Sequence, residues 1–267
     1  MGQYAKEKEV MYHTGLTKEM IQGAKYALVP GDPGRVEGLA KALDEKAIFV
    51  ASHRDFTSWL AHLAGEPVLV MSTGMGGPCV TFAVEELARL GIQTFLRVGT
   101  TGAIQDHLPL GELIVNEGAV RMDGASKAYA PAEYPAIADL TVTMALEKAA
   151  QELKIPCHAG VCVSTDSFWP GQERYDSFSG YVRKALQGTM ADYRNLGCTN
   201  FEMENATLFT ICRVLGLRAG SLCGIVAQRT DSEKIASHEV YELAEKRFQQ
   251  VAKRALQMLM GHFMVTV

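Results

Sequence analysis

The sequence predicts an α/β fold in which helices cover both faces of a central sheet, giving three layers in a single domain that spans residues 1–267. Short runs rich in Val, Ile and Leu alternate along the chain with segments of helical periodicity. The runs are almost continuously apolar, which is typical of strands buried on both faces of a mixed, largely parallel sheet. No linker, low-complexity tract or fixed-period repeat divides the chain, so we predict no domain boundary.

The elements of this fold follow one another in chain order. The candidate strands are the apolar runs at Tyr26–Val29, Ile48–Ala51, Val68–Met71, Thr94–Val98, Leu113–Val115, Val161–Ser164 and Ser221–Ala227. The candidate helices have apolar residues along one face, at Val80–Leu90, Leu140–Leu153, Ala206–Leu215 and Ser237–Met260. The strands around residues 112–120 are candidates for antiparallel pairing.

Composition argues against several classes of function. The net charge is −4 and the basic residues are scattered among acids, which disfavours a nucleic-acid surface. The apolar runs are shorter than the roughly 20 residues of a membrane span, and the N-terminal residues lack the apolar stretch of a secretory signal. Six cysteines without a Cys-x-x-Cys pair, and histidines without metal-ligand spacing, predict reduced thiols and neither zinc nor disulfides. We therefore expect a cytoplasmic protein.

Glycine-rich polar segments follow three candidate strands, where an α/β sheet places its ligand sites. They are Gly31-Asp32-Pro33-Gly34-Arg35, Ser72-Thr73-Gly74-Met75-Gly76-Gly77 and Gly99-Thr100-Thr101-Gly102-Ala103. The first can expose backbone N–H groups beneath a guanidinium, an arrangement that binds phosphate. It is also typical of an ordinary turn. Because it is neither a Walker loop nor a dinucleotide motif, no nucleotide cofactor is indicated.

Arg97 lies inside the apolar run Thr94–Val98, where a charge is costly to bury unless an anion compensates it. One interpretation is a salt bridge within the protein. The other is an oxyanion held at the end of the strand, because the hydroxyls of Thr100 and Thr101 and several glycine amides follow at once. In the second interpretation Arg35 and Arg97 share the anion.

Glu202 and Glu204 lie two residues apart, just before the apolar helix that begins at Ala206. In an extended segment this spacing directs both carboxylates to the same side. Paired carboxylates can accept hydrogen bonds from a sugar diol and stabilise a developing oxocarbenium ion. Capping of the helix N-terminus by the acids is the alternative.

A strand that ends near Ser164 leads into a polar, aromatic segment from Phe168 to Asp176. Gln172 offers an acceptor and two donors, and Arg174 offers a fixed fork of donors. Together they match the imide edge of a uracil ring, which presents O2, N3–H and O4. Pro-Gly followed by polar residues is equally typical of a surface turn. His13 and Arg54, taken alone, are typical surface residues.

Taken together, these segments resemble the nucleoside phosphorylase family, and most closely its bacterial uridine phosphorylase branch. The similarity runs almost from end to end, through residues 13–17, 29–35, 51–54, 72–78, 84–87, 95–104, 121–126, 168–176, 202–204 and 229–230. It implies the nucleoside phosphorylase fold and a hexamer assembled as a trimer of dimers.

The resemblance also implies a role for each candidate residue. Phosphate would be bound by Gly31, Arg35, Arg97 and Thr100, and by Arg54 of the neighbouring subunit. Ribose would be bound by Thr100, Met203 and Glu204, and by His13 of the neighbouring subunit. The base would be bound by Thr101, Gly102, Phe168, Gln172, Arg174, Glu202 and Arg229. Catalysis would rest on Arg97, Gln172, Arg174 and Glu204.

The implied reaction is the reversible phosphorolysis of uridine, and of deoxyuridine, with inorganic phosphate as co-substrate and no organic cofactor. Purine phosphorylases and nucleosidases of this family carry an Asp after the late strand to protonate the purine, whereas no acid occupies Gly224–Arg229 here. A purine phosphorylase or nucleosidase of the same fold is one alternative. A noncatalytic nucleoside-binding protein is the other.

The chain departs from the family pattern at a few positions. The resemblance implies a monovalent cation site near Asp55, Met75 and Cys79, but Asp55 and Cys79 replace the more usual Glu and Ser, which argues against potassium. Trp169 and Gln228 replace more usual residues near the base pocket. We expect these two to influence the choice among uridine, deoxyuridine and thymidine.

Overall fold

The computed structural model describes residues 2–230 and 235–261 and contains a mixed sheet with helices on both faces. The strands are β1 (Tyr26–Pro30), β2 (Ile48–His53), β3 (Phe56–Leu63), β4 (Glu66–Met71), β5 (Thr94–Ala103), β6 (Leu113–Met122), β7 (Ala136–Ile137), β8 (Cys157–Thr165), β9 (Asn200–Glu202) and β10 (Arg218–Gln228). The helices are α1 (Val36–Leu43), α2 (Gly77–Leu90), α3 (Leu140–Leu153), α4 (Thr189–Asn195), α5 (Asn205–Val214) and α6 (His238–Met260). Short 3₁₀ turns lie at Pro33–Arg35, Ala125–Ala128, Pro170–Gln172 and Lys184–Leu186.

The sheet has the order β10-β6-β8-β9-β5-β1-β4-β3-β2, and β10 also pairs with β5. Parallel pairs join β1 to β4 and β5, and β5 to β10, whereas β2, β3 and β4 are antiparallel neighbours. The predicted mixed sheet is therefore confirmed. The stretch around residues 112–120 runs antiparallel to β10, as expected, but parallel to β8. Because β9 links β5 to β8 and β10 pairs with both β5 and β6, five strands close into a ring, a closure on which the sequence analysis made no prediction.

Helices bury apolar side chains against both faces of the sheet, which gives the expected three layers. Leu39 of α1, Leu146 of α3 and Phe248 of α6 belong to one core. Leu87 of α2 and Phe209 of α5 belong to the other. No described helix has both the length and the apolar character that crossing a membrane would require.

Glycines set the closest contacts of this packing. A Cβ at Gly220 of β10 would lie 2.4 Å from Val142 Cγ1 of α3, and one at Gly224 would lie 2.8 Å from Ala244 Cβ of α6. Both helices therefore approach β10 more closely than any side chain would allow. Helix α2 ends at Gly91, whose φ of +113° suits a glycine.

All seven predicted strands and all four predicted helices occur, but the sequence analysis missed β3, β7, β9, α1 and α4 and ended β5 and β6 too early. Strand β3 alternates buried and partly exposed residues, and its polar positions conceal it as a strand. The prediction ended β5 at Val98, yet β10 pairs with β5 as far as Ala103, and β9 pairs with Gly102. The residues Gly99–Ala103 thus belong to the strand itself rather than to a loop after it.

Candidate active site

A cavity of about 560 Å³ opens beyond the carboxyl ends of several strands. Its wall includes most of the residues that the sequence singled out: Gly31, Arg35, Arg97, Thr100, Thr101, Gly102, Phe168, Gln172, Arg174, Glu202, Met203 and Glu204, together with Asp55 and Met75. Arg229, His13, Arg54 and Cys79 do not line it. Segments far apart in sequence therefore meet at one site, as a ligand crevice of an α/β sheet requires.

Arg97 on β5 forms the salt bridge within the protein that one interpretation of its buried charge predicted. Its Nη2 donates to the Glu204 carboxylate, and its Nε lies 3.7 Å from Glu202 Oε2. Burial opposes the charged form, but Glu204 and Glu202 outweigh it and raise the pKa of Arg97. Nη1 has no hydrogen-bond partner within residues 2–230 and 235–261. Since buried donors are normally satisfied, this nitrogen is available to an anion in the cavity.

Glu202 caps helix α5, which is the alternative that the sequence left open. Its Oε2 accepts from the backbone N–H groups of Glu204 and Asn205, each at 2.8 Å, and its Oε1 accepts from the Ser164 hydroxyl. Burial and the neighbouring charge of Glu204 raise the pKa of Glu202. The chain turns into α5 after β9 instead of staying extended, so the predicted extended geometry is wrong.

Glu204 is held from two sides instead. Its Oε1 accepts from the backbone N–H of Gly76 at 2.6 Å, and its Oε2 accepts from Arg97. Gly76 precedes α2 with a φ of +86°, a conformation that glycine adopts without strain. The carboxylate is thereby fixed in the same cavity wall as Thr100 and Met203.

Arg35 closes the turn that follows β1 and reaches the cavity. Asp32 Oδ1 accepts from the backbone N–H of Gly34 at 2.8 Å, which shapes the turn. Nη2 of Arg35 donates to the Tyr241 hydroxyl, and its Nε lies 2.6 Å from Glu245 Oε1. The segment is thus an ordered turn that also carries a guanidinium into the cavity.

The segment after β8 buries the two side chains that were matched to an imide edge. Gln172 and Arg174 are 3% and 5% exposed. The Arg174 guanidinium lies over the Phe168 ring, 4.3 Å from its centroid, and the Arg174 backbone N–H donates to Trp169 O at 2.7 Å. An ordinary surface turn would leave both side chains in water, whereas both line the cavity here.

Arg229 lies behind this end of the cavity, where its Nη2 donates to Gln172 O at 2.9 Å. A Cβ at Gly102 would come within 3.2 Å of Arg229 Cγ and 3.7 Å of Arg174 Nη2, so this glycine makes room for both arginines. The Thr101 hydroxyl donates to Phe201 O at 2.6 Å and so connects β5 to β9. Arg229 therefore supports the site from behind, whereas Thr101 lies in the cavity wall and ties it to β9.

His13 and Arg54 lie together on the surface, outside the cavity of their own chain. His13 Nδ1 lies 2.7 Å from Glu86 Oε1, and its ring stacks on Phe82 with centroids 4.1 Å apart. The Arg54 guanidinium lies 5.2 Å from the centroid of the Tyr12 ring. The expectation that both residues act in the site of a neighbouring subunit stays a prediction.

Other residues differ from the expectation or were missed. Gln228 donates through Nε2 to Gln105 O and Leu108 O and does not itself line the cavity, although the preceding Ala227 does. Trp169 packs edge-on against Phe168 and also lies outside the lining. Tyr241 lines the cavity, but nothing in its local sequence distinguishes it from any tyrosine on an amphipathic helix.

Comparison with known proteins identifies similar chains over most of this length. The sequence model of the Phosphorylase superfamily matches residues 25–258. A uridine phosphorylase of Escherichia coli strain K12 is 53% identical over 226 residues, which are 85% of this chain and 89% of that protein. A uridine phosphorylase of Haemophilus influenzae is 47% identical over 251 residues, 94% of this chain and 99% of that protein. A guanosine phosphorylase of Halorubrum lacusprofundi is 35% identical over 220 residues, 82% of this chain and 85% of that protein.

Proposed function

This chain belongs to the Phosphorylase superfamily, and from that premise we infer that it catalyses the reversible phosphorolysis of uridine to uracil and ribose 1-phosphate. It is a pentosyltransferase, and the uridine phosphorylases share higher identity with it than the guanosine phosphorylase does. Deoxyuridine is a second substrate under this proposal.

One observation carries the proposal: a single cavity holds groups suited to each part of the two reactants. Arg35 and Arg97 provide cationic donors for phosphate, and Glu204 provides a carboxylate for the ribose hydroxyls. Gln172 and Arg174 provide the donors and acceptor for a uracil edge. Bringing both reactants together in one orientation is itself a large part of the catalysis of a bimolecular reaction.

The reaction follows from these placements. Phosphate held by the arginines attacks C1′ while the bond from C1′ to N1 of uracil lengthens, and the ribose acquires oxocarbenium character. The negative charge of Glu204 stabilises that cation. The leaving uracil gathers negative charge on its carbonyl oxygens, where Arg174 and Gln172 donate hydrogen bonds. Arg174 acts electrostatically, because its guanidinium keeps its proton at any working pH.

The end of the cavity at Gln172 and Arg174, called the base end, favours uracil over a purine base. A purine leaving group is activated by protonation, which calls for an acid, and the segment Gly224–Arg229 contains none. The side chain of Gln228, which occupies this segment, is engaged with backbone carbonyls. Cleavage of a purine nucleoside is therefore the less suitable activity for this site.

The charges around the phosphate position support a contribution to the site from a neighbouring subunit. Arg97 is paired with Glu204 and Glu202, and Arg35 with Glu245, so the chain's own carboxylates offset both guanidiniums. A third cation would restore a positive potential for a phosphate dianion. We propose that Arg54 of a neighbouring subunit supplies it, with His13 reaching the 5′-hydroxyl, in a hexamer built as a trimer of dimers. Dilution to monomers with activity retained would contradict this arrangement.

Inorganic phosphate is the co-substrate of this proposal, and no organic cofactor takes part. Potassium fits the residues near Asp55 poorly: burial, followed by the charges of Asp55 and Glu204, raises the pKa of the Cys79 thiol, so a neutral sulfur stands where a hard cation prefers oxygen. We therefore propose turnover without a monovalent cation.

Because all six cysteines are free, a reducing compartment such as the cytoplasm is the proposed location.

The test is uracil release from uridine by the purified protein, with and without inorganic phosphate, with deoxyuridine and inosine as parallel substrates. Phosphate-dependent release of uracil is the expected result. Release without phosphate would indicate a hydrolase, and preferential cleavage of inosine would overturn the role assigned to Gln172 and Arg174. Binding of uridine without turnover would establish the noncatalytic alternative.

A further inference from the structure

Arg35, on the turn after β1, is held by Tyr241 and Glu245 of helix α6, and these two residues are called the clamp. Nε of Arg35 lies 2.6 Å from Glu245 Oε1, and Nη2 donates to the Tyr241 hydroxyl. The guanidinium carbon lies 5.3 Å from the centroid of the Tyr241 ring. Asp32, on the turn itself, is a weaker neighbour, with its Oδ2 4.0 Å from Nε. One edge of the guanidinium is thus occupied by α6.

Helix α6 presents these two side chains from a fixed position. Tyr241 and Glu245 are one helical turn apart, so they lie on the same face. Ala244 between them is fully buried, at the contact that Gly224 of β10 permits. Arg247 Nη1 donates to Gly111 O at 2.6 Å and ties the next turn of the helix to the segment that precedes β6. Little movement of the clamp is therefore available without unpacking the helix.

The contacts with the clamp leave some N–H donors of the Arg35 guanidinium for a ligand. A guanidinium has five N–H donors; Glu245 takes the one on Nε and Tyr241 one of the two on Nη2. Among residues 2–230 and 235–261, no hydrogen bond takes the two on Nη1 or the second on Nη2. Tyr241 lines the cavity together with Arg35, whereas Glu245 does not. The hydroxyl therefore fixes the guanidinium at the cavity wall, and the carboxylate offsets its charge from behind.

We propose that Tyr241 and Glu245 are positioning residues that set the affinity for phosphate through Arg35. Tyr241 holds the free end of the guanidinium toward the phosphate, which strengthens binding. Glu245 competes for the same cation and repels the dianion, which weakens binding and favours release of phosphate and of ribose 1-phosphate. The proposal rests on the proposed function, because it assumes that the anion at Arg35 is phosphate or a phosphate ester.

The two residues predict opposite effects on the same kinetic constant. Tyr241→Phe keeps the ring and removes the hydroxyl, so the KM for phosphate should rise about three- to tenfold, as expected for one lost hydrogen bond to a charged group. Glu245→Gln keeps an acceptor for Nε and removes the charge, so the KM for phosphate should fall about two- to threefold, the size expected for a part-exposed ion pair. The KM for uridine should change less than about twofold in both variants.

Matched controls separate this effect from general changes in α6. Tyr26→Phe removes another tyrosine hydroxyl that donates to α6, at Leu259 O, far along the helix from Tyr241. Glu242→Gln removes an exposed carboxylate of the same helix that does not contact Arg35. Neither control should change the KM for phosphate. Thermal unfolding of each variant checks that the fold is intact.

A second readout is independent of turnover: calorimetric titration of the protein with inorganic phosphate should show weaker binding by Tyr241→Phe and tighter binding by Glu245→Gln. If the unmodified protein cleaves uridine with phosphate but both variants bind phosphate as it does, the positioning roles are overturned and the proposed function stands. Tighter binding by Tyr241→Phe, or weaker binding by Glu245→Gln, would overturn the roles as well. If the unmodified protein neither binds phosphate nor uses it, both proposals fail together.

Discussion

Arg97 and Arg174 are equally buried, each 5% exposed, but the backbones that carry them are different. Arg97 lies on β5, which is hydrogen-bonded to β1 on one side and β10 on the other. Arg174 lies on the loop after β8, just past a short 3₁₀ turn. Arg97 is thus part of the central sheet, whereas Arg174 is attached to it through a loop.

This difference divides the site into a part that the fold depends on and a part that it does not. Arg97 compensates two buried carboxylates, so removing it disturbs the core as well as the chemistry. Arg174 contacts Phe168, a residue of the same loop. Loops of this kind carry specificity and tolerate change, while the elements that support them persist. We expect base choice to be separable from stability, and phosphate binding not to be.

The largest expected effect is that of Arg97→Met. It leaves Glu202 and Glu204 buried without their cation, so the free energy of unfolding should fall by about 3–5 kcal/mol. Loss of the phosphate donor should lower kcat/KM for phosphorolysis about a thousandfold. Urea unfolding and initial rates at varied phosphate measure the two quantities.

Arg218→Met is the matched control, because Arg218 lies on β10 opposite Thr94, at the other end of β5, and its Nε donates to Thr94 Oγ1 at 3.0 Å. It should keep the rate of the unmodified protein. If Arg97→Met unfolds with the same free energy as the unmodified protein, Arg97 is no more structural than a loop residue, and the contrast with Arg174 is wrong.

The next effect is that of Arg174→Met, which should lower kcat/KM for uridine about a hundredfold while the KM for phosphate stays constant. Methionine can occupy the space over the Phe168 ring, so the free energy of unfolding should change by less than about 1 kcal/mol. The same urea and rate measurements apply. A loss of stability as large as that of Arg97→Met would show that the loop is part of the core.

The two ends of the site also differ in how far the sequence predicts them. Arg97 stands out because a charge inside an apolar strand needs a partner, and the sequence leaves a carboxylate of the protein and a bound oxyanion as the two alternatives. Gln172 and Arg174 are recognisable only by their chemistry, since a polar turn conceals their burial. Tyr241 could not be predicted, because its contact with Arg35 joins residues 206 positions apart and depends on how α6 packs on β10.

Glu86 on helix α2 holds the irregular segment at His13 and Thr14 in place. Its Oε1 accepts from His13 N at 2.9 Å and its Oε2 from Thr14 N at 2.8 Å. Burial alone would raise the pKa of Glu86, but these hydrogen bonds outweigh it and lower the pKa. The resulting stability is complete above the ordinary glutamate pKa, about 4.3, and is lost as the pH falls through the lower pKa of the folded state.

Glu86→Gln should therefore reduce the free energy of unfolding by about 1–3 kcal/mol near neutral pH and by much less near pH 3. Urea unfolding at both pH values gives the difference between variant and unmodified protein. Glu85→Gln, at the adjacent position on α2, is the control, because this carboxylate accepts from the Tyr129 hydroxyl rather than from the backbone of His13 and Thr14. A difference that persists unchanged at acid pH would mean that shape, and not the carboxylate charge, anchors His13.

The smallest effect expected is that of Gln228→Ala, at the end of β10. Its amide donates to Gln105 O at 3.1 Å and Leu108 O at 3.0 Å, so it fixes the chain after β5 and reaches no base-end side chain. Loss of these bonds should lower the free energy of unfolding by about 1–2 kcal/mol. The ratio of kcat/KM for uridine to that for thymidine should stay within about twofold, measured with both nucleosides at saturating phosphate. A changed ratio would mean that Gln228 takes part in base choice, and the contrast between a structural Arg97 and a loop-borne Arg174 would then not describe the end of β10.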